Sequence, residues 1–528
     1  MSASSAVRAE KPAGLMRFAG AVGLVVAGCA LFWRLLKFLY RSYWAANTPH
    51  QLDYGEGIVW QQMRMIIDGQ GYAPLKPFPA IVFHYPPVYH LTTWVVASVT
   101  GMGDLVAGRT LSILSTLAAA ALIGMIAGLI TDGSRLTRWI CGATACLVSL
   151  TCHPVAVWSA MMRVDMLAVA LSLTGLCLVM LALRKPALIY LAAITFVGAV
   201  FTKQTMLAAP GAAFLVLLFA RPALAVRGIF ACLGLGLAAL YGLSFVTHGE
   251  FIHHIFEYNI NRFFASRLWE VVPVVRQHAF YLLAGTIGLE LSVWKLLKKP
   301  VPEGLTDVRQ SPRRDIWRPR LWIAIAYAIA ATCFLVLVGK SGSSINYYVE
   351  WFFAVSVFIG VSVGPAIDTF FLQTEKKKAV AVTAWPLILV PFLIAAGSFQ
   401  IPVIDKGDQI QTAAEEAQLA TLVQRIRESE KPVISDNMVI LQEAGKDVLL
   451  EPAIVAELTS MKVYDERPFL RMIRNKEFAF FVVEGGPGKL PPSRYSPAVA
   501  AAIYQNYPRV QSLRGLAVHL PAVSGPAD

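Results

Sequence analysis

Two acids stand three residues apart in the segment Gln51-Leu52-Asp53-Tyr54-Gly55-Glu56-Gly57. On a helical turn that spacing puts both carboxylates on one face. One could then serve as a general base and the other as a metal ligand. The same pair would equally suit the start of a helix, where the dipole favours acids. Further along, Met162-Arg163-Val164-Asp165-Met166 places two charges between apolar runs. Charges at a membrane boundary tend to mark function, although a solvated turn closed by a local Arg163–Asp165 pair would look the same. Lys203 sits alone in apolar surroundings. It either snorkels to the headgroups or grips a phosphate as a point charge.

The stretch from His248 to Glu270 is rich in aromatics and carries His253, His254, Arg262 and Arg267. An interfacial aromatic belt accounts for most of it, and the two arginines could face a lipid phosphate. His253 and His254 are adjacent and so point to different helix faces, which speaks against a shared metal site. The loop Gly339-Lys340-Ser341-Gly342-Ser343-Ser344-Ile345-Asn346-Tyr347-Tyr348 lacks the Gly-x-x-x-x-Gly-Lys-Ser/Thr spacing and the strand that a nucleotide-binding loop needs.

The elements that hold these residues are read from hydropathy. The chain has 528 residues, 56% hydrophobic and 15% charged, with mean hydropathy +0.57. A soluble protein carries nearer a quarter charged residues. Eleven apolar runs approach the roughly 20 residues that cross a bilayer, near 15–38, 105–130, 139–160, 166–183, 187–202, 205–220, 228–247, 275–294, 321–338, 351–371 and 379–398. With the N-terminus cytoplasmic, the inner loops hold seventeen lysines and arginines against nine on the outer side from Arg64 onward, as the positive-inside rule requires. Every candidate named above then falls on the outer face. The first run decides nothing alone, because Arg34, Lys37 and Arg41 stand at its far end as Arg8, Lys11 and Arg17 surround its start.

The apolar run Val88–Thr100 is short for a span and is expected to lie along the interface. Were it to cross, Asp53 and the later outer loops would lie on opposite faces. The N-terminal basic and apolar stretch, with Val26-Ala27-Gly28-Cys29, has the look of a processing site, but the run continues past it and is expected to stay as the first span. All seven cysteines lie in apolar runs, so no disulfide framework is expected. The basic residues behind the net charge of +13 sit mostly in short loops, which is how membrane topology is encoded, so no nucleic-acid partner is expected.

Residues 1–399 thus form a transmembrane domain with a first outer loop over 42–104. Residues 400–528 differ in character. A polar helix over Glu415–Glu428, and buried strands at Pro432–Ser435, Asp447–Leu450 and Phe478–Val483, predict a small α/β domain on the outer side. The basic loop Pro300–Arg320 is expected to be irregular and cytoplasmic.

The acidic first loop, its Tyr85-Pro86-Pro87 ending, Arg163-Val164-Asp165 and Lys203-Gln204 resemble the GT-C superfamily over roughly residues 40–350. These are membrane glycosyltransferases that use polyprenyl-phosphate sugars, and the branch with aminoarabinose transferases and protein O-mannosyltransferase relatives is the most similar. The resemblance implies a polytopic α-helical fold and a first-loop acid, Asp53 or Glu56, as base or metal ligand, with Asp165 as the second acid. It implies that Lys203, Arg163, Arg262 and Arg267, with Tyr85 and Tyr347 in the same loops, bind the carrier phosphate. It leaves room for a divalent metal (Mg, Mn or Zn) on Asp53, Asp165 and His84. The implied reaction moves sugar from a polyprenyl-phosphate donor to a lipid, glycan or protein acceptor at the outer face of a bacterial inner membrane. A lipid or sugar transporter is the competing class, but such proteins show repeats and mid-span charges that are not seen here. A non-catalytic assembly or receptor protein presenting the α/β domain is a third.

Overall fold

Each of the eleven apolar runs carries helix. The structure, a computed structural model, describes residues 11–298, 314–370, 384–400, 413–485, 490–513 and 515–522. The helices in chain order are α1 (Lys11–Asn47), α2 (Glu56–Ile67), α3 (Val88–Thr100), α4 (Asp104–Ile130), α5 (Arg135–Thr151), α6 (His153–Trp158), α7 (Asp165–Ala182), α8 (Leu188–Val200), α9 (Ala208–Ala220) and α10 (Pro222–Val246). There follow α11 (Glu250–Ile252), α12 (Val271–Gln277), α13 (Ala279–Lys298), α14 (Arg314–Cys333), α15 (Val349–Ser362), α16 (Gly364–Phe370) and α17 (Ala384–Gln400). Seven helical stretches among the described residues are long and apolar enough to cross a membrane. This is a multi-pass membrane protein. Most of the expected basic loop Pro300–Arg320, and Lys376–Lys378, lie outside the described residues. From Arg314 onward that loop is already helix α14, not irregular chain.

Burial sorts the helices into shells. The α15 stretch is almost wholly enclosed and forms the axis of the bundle. Helix α10 turns Phe230, Leu237, Tyr241 and Phe245 outward, each more than 60% exposed. Such an apolar surface is stable only against lipid. At the α4–α5 crossing a Cβ on Gly124 or Gly142 would lie 2.7 Å from the other's carbonyl oxygen, so the two backbones touch, as small residues allow in membranes.

Helices α8 and α9 have only 13 residues each, rising about 20 Å. That falls short of a hydrocarbon core about 30 Å thick. The turn between them carries Lys203. Helix α3 also has 13 residues.

The C-terminal part begins with α18 (Ala413–Glu428) and adds α19 (Val439–Glu443), α20 (Pro452–Ser460), α21 (Arg467–Arg474) and α22 (Pro497–Asn506). Its sheet has β1 (Val433–Ser435), β2 (Phe480–Glu484), β3 (Arg509–Leu513) and β4 (Leu516–Leu520) in the order β1-β2-β4-β3. The β1–β2 pair is parallel and the other pairs are antiparallel. The strand expected at Asp447–Leu450 is not part of this sheet. Leu450 instead forms an isolated bridge with Ala80 of the first loop, and Leu449 O accepts from Ala80 N at 2.8 Å. Val448 and Leu450 are buried between the two parts, in clusters that join first-loop residues such as Ile58 and Ala80 to the strand residues Phe480 and Phe481.

Helix α2 is the shared wall of the two parts. Gln61 Oε1 accepts from Val448 N at 3.0 Å and also from the Gln442 amide, while Arg64 donates to Gln442 at 2.8 Å. Gly57 packs so close to Met438 that a Cβ would lie 2.5 Å from its backbone carbonyl carbon.

Candidate active site

Three ion pairs, set in sequence by the starts of α2, α4 and α7, organise the end of the bundle that carries the first loop. The deepest joins Glu56, the first residue of α2, to Arg109 on α4. Arg109 Nε and Nη2 donate to the two carboxylate oxygens at 2.8 and 2.7 Å, and neither side chain is exposed. Arg109 also holds the carbonyl of Ala45 in the last turn of α1 and those of Thr48 and His50 just after it. Glu56 accepts in addition from Met162 N and Leu52 N, at 2.9 and 2.7 Å. All of its lone pairs face fixed donors, and it stands outside the cavity described below. Its place at a helix start, favourable to the dipole, is structural.

The second pair is Lys203–Asp165, with Nζ 2.5 Å from Oδ1. Asn346 Nδ2 donates to the same oxygen at 2.8 Å, and Trp158 Nε1 donates to Oδ2 at 2.8 Å. Lys203 lies over the Tyr347 ring at 4.9 Å. Burial disfavours its charge, but Asp165, Tyr347 and Tyr85 outweigh that and hold its pKa above the ordinary value. Lys203 does not snorkel. It is a buried cation with a specific partner, and Asp165 pairs with it rather than with Arg163.

The third pair is the one open to solvent. Asp53 Oδ2 lies 3.2 Å from Arg163 Nη1, with side chains 22% and 16% exposed. Asp53 Oδ2 also accepts from Gly55 N at 2.9 Å, which fixes the carboxylate over the turn entering α2. Burial works against the Arg163 charge, but Asp53, Tyr85, Asp165 and Glu451 keep its pKa above the usual range.

Asp53 and Arg163 face a cavity of about 900 Å³. His84, Tyr85, Lys203, Arg262, Lys340 and Tyr347 line it as well. Residues from the first outer loop and from every later one thus share a single chamber. They lie on one face of the bundle, which a crossing by α3 would have prevented. Arg267 is not in the lining. It pairs with Glu270 at 2.9 Å and ties the Lys340 and Ser343 carbonyls at 2.6 and 2.9 Å, so it shapes the loop that presents Lys340. Lys340 itself is half-buried and has no acidic partner among the described residues.

The roof of the cavity was not legible in the sequence. It comes from the C-terminal part: Glu451, Glu457, Ser460, Arg494 and Tyr495. Arg494 stacks on the Tyr54 ring at 3.3 Å and pairs with Glu484 at 3.1 Å. Glu457 accepts from Arg262 N and Ser341 Oγ at 3.1 and 3.2 Å. No spacing signal marks these residues, because their function depends on the sheet being seated on α2.

The metal set expected from Asp53, Asp165 and His84 does not gather. No group of three potential ligands is found among the described residues, and both Asp165 oxygens are taken by donors. Burial, with His254, Lys340 and Arg163 nearby, lowers the His84 pKa to about 4.

No protein-family model and no curated protein matches the chain. Solved structures do. ArnT from Cupriavidus metallidurans, bound to undecaprenyl phosphate, aligns at 16% identity over 94% of this chain and 99% of that one, with TM-score 0.55. Its apo state gives 15%, 94%, 100% and 0.56. The apo Archaeoglobus fulgidus oligosaccharyltransferase gives 12% identity over 88% of this chain and 69% of that one, with TM-score 0.51. The chain therefore shares its fold with ArnT along almost all of both chains, and with the archaeal oligosaccharyltransferase along 69% of that protein.

Proposed function

We propose that the protein is a glycosyltransferase that moves a sugar from a polyprenyl-phosphate carrier to an acceptor hydroxyl at the outer face of the cytoplasmic membrane. The observation that carries this reading is the Asp53–Arg163 pair opening into a cavity walled by Lys203 and Lys340. A carboxylate and several cations in one chamber at the membrane boundary match the two needs of the reaction. The acceptor hydroxyl must be oriented and deprotonated, and the departing phosphate must be stabilised by positive charge. Undecaprenyl phosphate bound to the structurally similar ArnT supports a lipid phosphate as the ligand here.

In this reading Asp53 addresses the acceptor while Arg163, Lys340 and Arg262 receive the phosphate. Lys203, clamped by Asp165, adds its field from below, and Tyr85 and Tyr347 flank it. The polyprenyl tail leaves sideways into lipid, and the C-terminal part faces the extracytoplasmic side. Because the donor set for a metal does not converge, the cations of the chain are assigned the phosphate.

The test is Asp53→Asn in reconstituted protein, assayed with a panel of undecaprenyl-phosphate sugars and host membrane extract as acceptor. Transfer should fall by about 10²-fold as the acceptor loses its positioning while undecaprenyl phosphate still binds. Undiminished transfer would remove Asp53 from the mechanism, and wild-type protein that fails to bind undecaprenyl phosphate would remove the donor class.

A further inference from the structure

Four carboxylates line the cavity: Asp53, Glu451, Glu457 and Glu466. Three are held. Asp53 pairs with Arg163, Glu457 accepts from Arg262 N and Ser341, and Glu466 accepts from Ser496 Oγ at 2.7 Å. Glu451 differs. It stands at the residue before α20, yet its side chain does not cap that helix. No hydrogen bond or ion pair holds its carboxylate among the described residues, although the residue is only 9% exposed.

Glu451 is thus a largely enclosed acid that faces the cavity with no fixed donor on its carboxylate among the described residues, and acids with such perturbed surroundings are often found where a site uses the group. The charged and titratable groups around Glu451 are Arg163 and Asp53 from the membrane part, Tyr54 beside them, and Arg494 from its own side. Burial raises its pKa to about 7, with Arg163 and Arg494 opposing and Asp53 adding. Asp53, by contrast, is tied to a guanidinium and held in one orientation. A base works best when it can change its protonation near the working pH.

We infer that Glu451 is the group that takes the proton from the acceptor, so that the C-terminal part supplies a catalytic residue. This rests on the transfer reaction proposed above. The acceptor oxygen forms its bond to the anomeric carbon while the bond from that carbon to the phosphate oxygen breaks. The electron pair leaves on the polyprenyl phosphate, and the acceptor proton passes to the Glu451 carboxylate and then to solvent. Asp53, fixed by Arg163, accepts a hydrogen bond that orients the acceptor.

The experiment measures transfer from undecaprenyl-phosphate sugars to host membrane extract between pH 5 and 9, for wild type, Glu451→Gln and Glu451→Asp, with undecaprenyl phosphate binding in parallel. The wild-type rate should rise with pH through about 7 as Glu451 loses its proton. Glu451→Gln should lose that limb and about 10²-fold in kcat, with carrier affinity unchanged. Glu451→Asp should keep part of the rate with the limb displaced, which gives a reading even if the amide variant does not fold. Wild-type kcat and an unmoved pH profile in either folded variant would overturn the assignment while leaving the donor reading intact. Failure of the wild type to bind undecaprenyl phosphate would instead bring down both.

Discussion

Arg109 grips Glu56 through two parallel bonds of 2.8 and 2.7 Å, sealed from solvent on all sides. This pair separates the two acids of the first loop by role. Glu56 spends its oxygens joining α1, α2, α4 and the turn before α7, while Asp53, three residues earlier, is left facing the cavity.

Glu56→Gln should therefore behave as a folding variant. Leaving Arg109 buried without its partner costs roughly 3–5 kcal/mol, seen as a large drop in melting temperature in detergent. Whatever fraction folds should keep the wild-type pH profile. A stable Glu56→Gln protein with a selective loss of kcat would show that Glu56 acts on the substrate after all.

Lys203→Met strands Asp165 in the same way and should be poorly folded by a similar margin. Adding Asp165→Asn removes the orphaned charge and should restore melting. The double variant then isolates the field of Lys203 at the cavity wall. We expect it to bind undecaprenyl phosphate about tenfold more weakly, since hydrogen bonds to charged groups contribute about 1.5–3 kcal/mol at most. Full binding in a stable double variant would reduce the pair to a structural clamp.

Lys340 makes the complementary case, because no acid among the described residues depends on it. Lys340→Ala should leave melting unchanged and weaken undecaprenyl phosphate binding by about 10–100-fold. Arg267→Ala, which removes a side chain outside the cavity, serves as the comparison and should loosen the loop without abolishing binding. Equal losses in the two variants would mean that the loop's shape matters and the Lys340 charge does not.

These variants also mark where sequence reasoning was sufficient. Spans, the shared face of the outer loops and the helix at Val88–Thr100 follow from hydropathy and charge, which act locally. Asp53, Arg163 and Lys203, which line one cavity, stood out because charges in apolar surroundings are conspicuous. Pairings were not legible. Arg163 and Asp165 are two residues apart, yet each takes a partner from another loop, because the start of α7 points Asp165 inward toward Trp158 and Lys203. Residues β3 and β4 escaped notice for a similar reason. The strand Arg509–Leu513 is mostly exposed and lacks an apolar run, so only its pairing to β4 defines it. Glu451 was invisible because its surroundings are assembled from segments about 400 residues apart.

That assembly depends on Gly57. A side chain there meets Met438 C at 2.5 Å and Val439 N at 2.6 Å. These are backbone atoms that cannot rotate aside. Gly57→Val should therefore push α19 and the sheet behind it away from α2, carrying Glu451 and Arg494 out of register with Asp53. Misplacement by about 1 Å is enough to cost about 10²-fold in rate. We expect that loss together with faster proteolysis of the C-terminal part and unchanged membrane insertion. Undecaprenyl phosphate binding should persist, since Lys203 and Lys340 belong to the membrane part. A Gly57→Val protein that transfers sugar at the wild-type rate would show that the roof of the cavity, Glu451 included, takes no part in the chemistry.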